Sequence, residues 1–210
     1  MIHCQKCRKP DDCLETPYGS NITYTGTAPV SLSPTRDTFS IGDTIWIEMD
    51  IPSTIFDQNS GEMVNISQVD LEFIIGSVIH LYWDAQGQAH YYYAENEFDV
   101  FSEKGVLQAI QSSPSFIHII CEQDSTDQHK IARGGIIPRN SGLYSIGFAT
   151  RSQQVEGQIG DYCYSFLELS FTMNDNLDSN NYQLIAPYGT DLIGTFEQCQ
   201  TGARYSFVVE

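Results

Sequence analysis

DTIWIEMDIP, residues 43–52, decides the architecture. Ile45, Ile47, Met49 and Ile51 alternate with Thr44, Trp46, Glu48 and Asp50, the period-two pattern of a strand with one buried and one wet face. Working outward, Val69, Leu71, Phe73 and Ile75 alternate in the same way in SQVDLEFIIG (67–76). Further strand candidates are NITYTG (21–26), SVIHLYWD (77–84), QAHYYYAENEFDVF (88–101), SFIHIIC (115–121), GLYSIGFAT (142–150), YCYSFLELSFT (162–172) and ARYSFVVE (203–210). Turn residues punctuate them at SIGD, DQNSGE, DAQGQ and PRNSG. Helical periodicity is confined to KGVLQAIQ (104–111), little more than two turns. About nine strands and almost no helix predict an all-β sandwich.

NSGLYSI (140–146) sharpens that reading, because it resembles the D-S-G-x-Y-x-C run of immunoglobulin-type sandwiches, with Asn140 for the Asp and Ile146 for the Cys. The resemblance implies that Tyr144 opens a core strand and bonds its hydroxyl back to a nearby main-chain group. The expected fold is an immunoglobulin-like β-sandwich over residues 21–210, preceded by an extended Cys-rich leader over 1–20. The stretch NDNLDSNN (174–181) reads as a surface loop from its composition.

The chain has 210 residues with 10 Lys and Arg against 27 Asp and Glu, a formal charge of −17. Such a body repels phosphate backbones and anionic head groups, which argues against a nucleic-acid partner. Lys6, Arg8 and Lys9 cluster in the first nine positions, giving a basic tip on an acidic body. No run of about 18 apolar residues is present to span a bilayer. MIHCQK lacks the apolar region of a signal peptide, so a secreted protein would be represented by its mature portion.

Half of the six cysteines fall in CQKCRKPDDC (4–13). Cys4 and Cys7 have C-x2-C spacing, but Cys121, Cys163 and Cys199 stand singly, without the second close pair that a zinc site needs. A thioredoxin-like reading fails as well, since no βαβ setting surrounds the pair. Disulfides in an oxidising compartment fit the even count best, with free buried thiols in a cytosolic protein as the alternative. If SFIHIIC and YCYSFLELSFT are antiparallel neighbours, Cys121 and Cys163 meet at one sheet edge. Cys199 then pairs with one of Cys4, Cys7 and Cys13, and the other two bond each other, one of fifteen connectivities.

No G-x-S-x-G, H-E-x-x-H, P-loop or G-x-G-x-x-G motif is present, and the five histidines are scattered. The segment 174–185 fails as an EF-hand, with Ser179 at the glycine position and Ile185 at the glutamate position. No cofactor and no metal are expected, and no catalytic residue is assigned; a looser calcium site in the 174–185 loop or around Asp124 and Asp127 is the remaining metal alternative. The most informative region for binding is the hairpin 77–101. If Gln86 and Gly87 centre its turn, Tyr82 faces Tyr91 and His80 faces Tyr93. Tyr82, Tyr91 and Tyr93 then share one face with Glu95, Glu97 and Asp99. That face is either an aromatic platform for a glycan or protein partner, with Glu95 as acceptor, or a set of rings packed beneath a loop or helix, such as the 104–111 segment just downstream.

The chain also resembles the mature portions of secreted Bacteroidetes lipoproteins of unknown function. The resemblance is carried by the early Cys and polar leader with Pro10-Asp11-Asp12, FSIGDTIWIEMDIP (39–52), the Gly142-x-Tyr144 strand and the terminal RYSFVVE. It implies an outer-membrane or cell-surface location and no known enzymatic activity. MIHC is a poor lipobox, so membrane attachment would run through a lipid anchor absent from this chain. The expected function is a non-catalytic secreted or surface protein that binds a glycan or surface protein. Two alternatives stand beside it. One is a paired-carboxylate hydrolase; the other is a structural component of a surface assembly, held by contact between a basic leader and an acidic neighbour.

Overall fold

The structure is a computed structural model that describes residues 22–110, 116–126, 128–148, 152–159, 162–174, 181–189 and 204–210. Its strands are β1 (Thr23–Ser33), β2 (Thr38–Phe39), β3 (Ile45–Pro52), β4 (Thr54–Phe56), β5 (Met63–Asn65), β6 (Glu72–Trp83), β7 (Ala89–Tyr93) and β8 (Phe98–Lys104). They continue with β9 (Val106–Ile110), β10 (Phe116–Ile120), β11 (Glu122–Gln123), β12 (His129–Pro138), β13 (Gly142–Phe148), β14 (Ser152–Ile159), β15 (Tyr162–Met173) and β16 (Arg204–Val209). A one-turn helix, α1 (Tyr182–Ile185), and a 3-10 turn at Ala186–Tyr188 precede β16.

Two seven-stranded sheets make the expected sandwich. The first runs β11-β12-β3-β1-β15-β14, with β8 on the same side of β12 as β11. The second runs β2-β16-β13-β6-β10-β9, with β7 added to the far end of β6. The alternating residues of DTIWIEMDIP behave as their pattern requires: Ile45, Ile47, Met49 and Ile51 are buried, and Glu48 and Asp50 are exposed. β1 buries Tyr24, Ala28, Val30 and Leu32 by the same rule, and it pairs parallel to β15 and antiparallel to β3. Between the sheets, Phe39, Phe98, Tyr144 and Phe207 form a ring cluster with centroids 5.0–6.4 Å apart.

Several expectations change. The two strands read at 67–76 and 77–84 are one strand, because Gly76 is absorbed as a bulge where the β13 register slips between Gly147 and Phe148. The run 104–111 is not helical. Gly105, at φ +61°, turns the chain from β8 in one sheet to β9 in the other, and Leu107 is buried. A side chain there would lie 3.1 Å from the carbonyl oxygen of Ile131 and closer still to that of Ile120, so only glycine fits. The run 88–101 is split by a 3-10 turn at Glu95–Glu97. β12 is paired with β3 along eight residues without showing alternation in the sequence, because Gly134 and Gly135 interrupt its pattern. Those glycines make room: the Phe101 ring lies where a Cβ on Gly135 would come within 2.5 Å of it.

Candidate binding surface: the aromatic hairpin

The β6–β7 hairpin closes through Ala85, Gln86 and Gly87, a three-residue loop rather than the expected two. The amide of Asp84 donates to the Gln88 carbonyl (2.9 Å), the amide of Gly87 donates to the Asp84 carbonyl (3.0 Å), and Gly87 takes φ +74°. Asp84 holds the loop with its side chain. Oδ1 accepts the amides of Gln86 (2.9 Å) and Gln88 (2.8 Å), and Oδ2 lies 2.9 Å from His90 Nε2. The Gln88 bond foremost, with His90 beside it, keeps the carboxyl below its usual range.

The extra loop residue moves the register by one, and that exchanges the faces of β7. Leu81 faces Tyr91, His80 faces Tyr92 and Tyr82 faces His90. Tyr82 therefore lies on the opposite face from Tyr91 and Tyr93, and the single platform of these three rings is overturned. The face continuous with the sandwich core carries His80, Tyr82, His90 and Tyr92, with Tyr82 stacked on His90 (5.5 Å) and tilted against Tyr92 (5.9 Å). The outer face carries Ile79, Leu81, Trp83, Tyr91 and Tyr93. Ile79 and Leu81 are buried with Ile185 of α1, and Trp83 stacks on Tyr188 (4.8 Å, 30°).

Beyond this cover the rings reach solvent: Tyr82 and Tyr92 are 41% exposed, Tyr91 42%, Tyr93 45% and Trp83 49%. The 104–111 segment does not cover them. Glu95, expected as an acceptor for a ligand, is 1% exposed and accepts the Val78 amide at 3.2 Å. The 3-10 turn ends the period-two pattern before Glu95, so parity no longer places it with the tyrosines.

Glu97 is the carboxylate that matters to the hairpin. Tyr144, fully buried, shares its hydroxyl proton between Glu97 Oε2 (2.5 Å) and the Asn140 carbonyl (3.1 Å); the latter contact is the corner implied by NSGLYSI. The Tyr92 hydroxyl donates to Glu97 Oε1 (2.6 Å), and His80 Nδ1 lies 3.1 Å from Oε2 and 2.6 Å from the Tyr92 oxygen. With the Tyr92 proton committed to Glu97, this geometry assigns the Nδ1 proton to His80. Gly142 admits the His80 ring, since a Cβ there would approach its Cε1 to 2.6 Å. Burial alone would raise the Glu97 carboxyl, but bonds from Tyr144, Tyr92 and His80 outweigh it and hold the group below its usual range. Burial first, then the bond to Glu97, pushes Tyr92 up to about 12. Tyr144 was legible in the sequence; its partner Glu97, and the Tyr92 bond to that same carboxylate, were not, because they depend on the turn and the register.

Cys121 carries a free, buried thiol, raised to about 12 by burial, with Lys130 acting in the opposite sense. The strand before it, β10, pairs with β6 and β9, whereas β15, which contains Cys163, pairs with β1 and β14 in the other sheet. The expected Cys121–Cys163 bridge is corrected on both grounds. Cys4, Cys7, Cys13 and Cys199 lie outside the described residues. Asp124 accepts bonds from Thr126, Gln128 and His129 within its own turn, and Asp127 and residues 175–180 lie outside the described residues. Among the described residues, no three His, Cys, Asp or Glu side chains group as metal ligands, and no helix is long and apolar enough to cross a membrane.

No protein-family model matches the chain, and no curated protein matches it. Among solved structures it is similar to a cohesin module from a Clostridium perfringens family 33 glycoside hydrolase, at 10% identity and a TM-score of 0.31, over 71% of this chain and 99% of that one. A type II cohesin dyad from an adaptor scaffoldin of Acetivibrio cellulolyticus gives 13% identity and a TM-score of 0.26, over 59% and 37%. A type II cohesin domain from the cellulosome of the same organism gives 12% identity and 0.24, over 60% and 75%. Likenesses this distant carry no argument about function.

Proposed function

We propose that this protein is a non-catalytic binding module, secreted or held at a cell surface, which engages a protein partner through the β6–β7 hairpin. The carrying observation is that one hairpin leaves five aromatic side chains 41–49% exposed, on both of its faces. Aromatic residues exposed together on a soluble domain favour contact with a partner, because each offers a large apolar area with little side-chain entropy to lose. The carboxylate beneath them is fully engaged in holding the hairpin, which favours a positioning role for Glu97 over a reacting one.

A protein partner fits better than a glycan. Sugars stack on flat aromatic surfaces, whereas Tyr91 and Tyr93 stand at 88° and Tyr82 and Tyr92 at 56°. Rings set at such angles on two faces form a knob suited to a groove. The surface location rests on the resemblance to secreted lipoproteins. The test compares wild type with Tyr91→Ala/Tyr93→Ala and Tyr82→Ala/Trp83→Ala on the surface proteins of the producing cell and on a glycan array. Loss of a specific protein contact in both variants, with melting temperatures little changed, is the expected result. Wild-type binding by both variants, or binding confined to glycans, would overturn the reading.

A further inference from the structure

The hairpin lies in a stretch with an extreme charge pattern. From residue 37 to residue 103 the chain contains thirteen Asp and Glu and no Lys or Arg. Cations from outside this stretch cover some of its rings and not others. Among the described residues, guanidinium groups cover two rings outside the hairpin, Arg36 over Phe39 at 4.4 Å and Arg133 over Trp46 at 4.8 Å. No guanidinium or ammonium covers a hairpin ring among the described residues. The one group on the hairpin able to become cationic near its tip, His90, is already held by Asp84.

From this we infer that the partner segment received by the hairpin bears lysine or arginine side chains, which lie against the tyrosine and tryptophan faces. The inference rests on the binding role proposed above and names the chemistry of its partner. Three physical terms point the same way. The faces of Tyr and Trp rings are the negative ends of their quadrupoles and attract cations, most strongly where water is displaced. The tyrosine hydroxyls add oxygen acceptors around the rings, which a knob for a purely apolar groove would not need. A net charge of −17 raises the local concentration of basic partners and repels acidic ones.

The experiment uses the full chain and two labelled twelve-residue peptides, in which glycine alternates either with arginine or with citrulline. Citrulline keeps the planar shape of arginine and removes its charge. Fluorescence anisotropy of the labelled peptide is read at low and at physiological salt, for wild type and for two variants. Tyr91→Leu/Tyr93→Leu keeps apolar bulk and removes the ring faces; Glu48→Gln/Asp50→Asn removes two charges from the outer face of the other sheet. The expected result is at least tenfold tighter binding of the arginine peptide, weakening with salt. The tyrosine variant should lose at least fivefold and the acidic variant less than twofold, with thermal melts verifying that both fold. Equal affinity for the two peptides would overturn the cationic partner while leaving the hairpin as a binding surface. An equal loss in both variants would also overturn it, as diffuse attraction to an acidic body. Hairpin variants that leave capture of the cell-surface partner unchanged would instead remove the binding role itself.

Discussion

The Glu97 carboxylate joins side chains of β6, β7 and β13, and its titration should be visible in stability. Glu97 is held below the ordinary 4.5, so on acidification the unfolded chain takes up this proton before the folded one. The stabilisation is complete above about 4.5 and is lost as pH falls through the lower folded value. Glu97→Gln should lower stability at neutral pH by about 2 kcal/mol, in the range of a charged hydrogen bond, and should flatten the fall below pH 4.5. Melting curves from pH 3 to 7 check this; an unchanged acid slope would remove Glu97 as its source. Tyr144→Phe deletes the donor to Glu97 and Asn140 together and should cost roughly 1–3 kcal/mol without altering the core rings. This residue was legible because its signature is local, a Gly two positions before a Tyr in a strand opening. Glu97 was not, because its partners Tyr92, His80 and Tyr144 come from three strands.

At the scale of elements, alternation was readable where one face is buried and the other wet, as in β3 and the opening of β1, whereas β16 is buried on both faces at Tyr205, Ser206 and Phe207. Alternation failed in β12, whose glycines serve the Phe101 ring on the neighbouring strand, and in β9, where Gly105 passes the chain between sheets and the run reads as a short helix. Gly105→Ala would place a Cβ against two carbonyl oxygens at positive φ. A loss of about 2–3 kcal/mol is expected by combining backbone strain with the displaced contacts, measured by denaturant unfolding. The register of the aromatic hairpin was misread by one residue because the sequence DAQGQ permits two loop lengths. A one-residue slip exchanges every ring on β7 between faces, so the grouping of the rings was not readable, and neither was the exposure of Trp83 and Tyr92 nor the burial of Glu95.

Over the whole molecule, the excess of negative charge should make stability rise modestly with added salt, since screening relieves repulsion among carboxylates spread over both sheets. Cys121 gives a second check: its buried, protonated thiol should resist Ellman's reagent in the native state and react on unfolding. Five cysteines remain once Cys121 is set aside, an odd number, so thiol titration in denaturant under non-reducing conditions should find at least two per monomeric chain. The two tryptophans, finally, occupy opposite settings. Trp46 is flanked by Arg133 and the edge of Phe101 on the outer face of one sheet, while Trp83 stands half in water against Tyr188 on the hairpin of the other. The protein thus carries a built-in optical reporter: with Trp46→Phe and selective tryptophan excitation, the tryptophan emission that remains comes from Trp83 on the hairpin. Its wavelength and its quenching by acrylamide would record, without any label, when that hairpin leaves water.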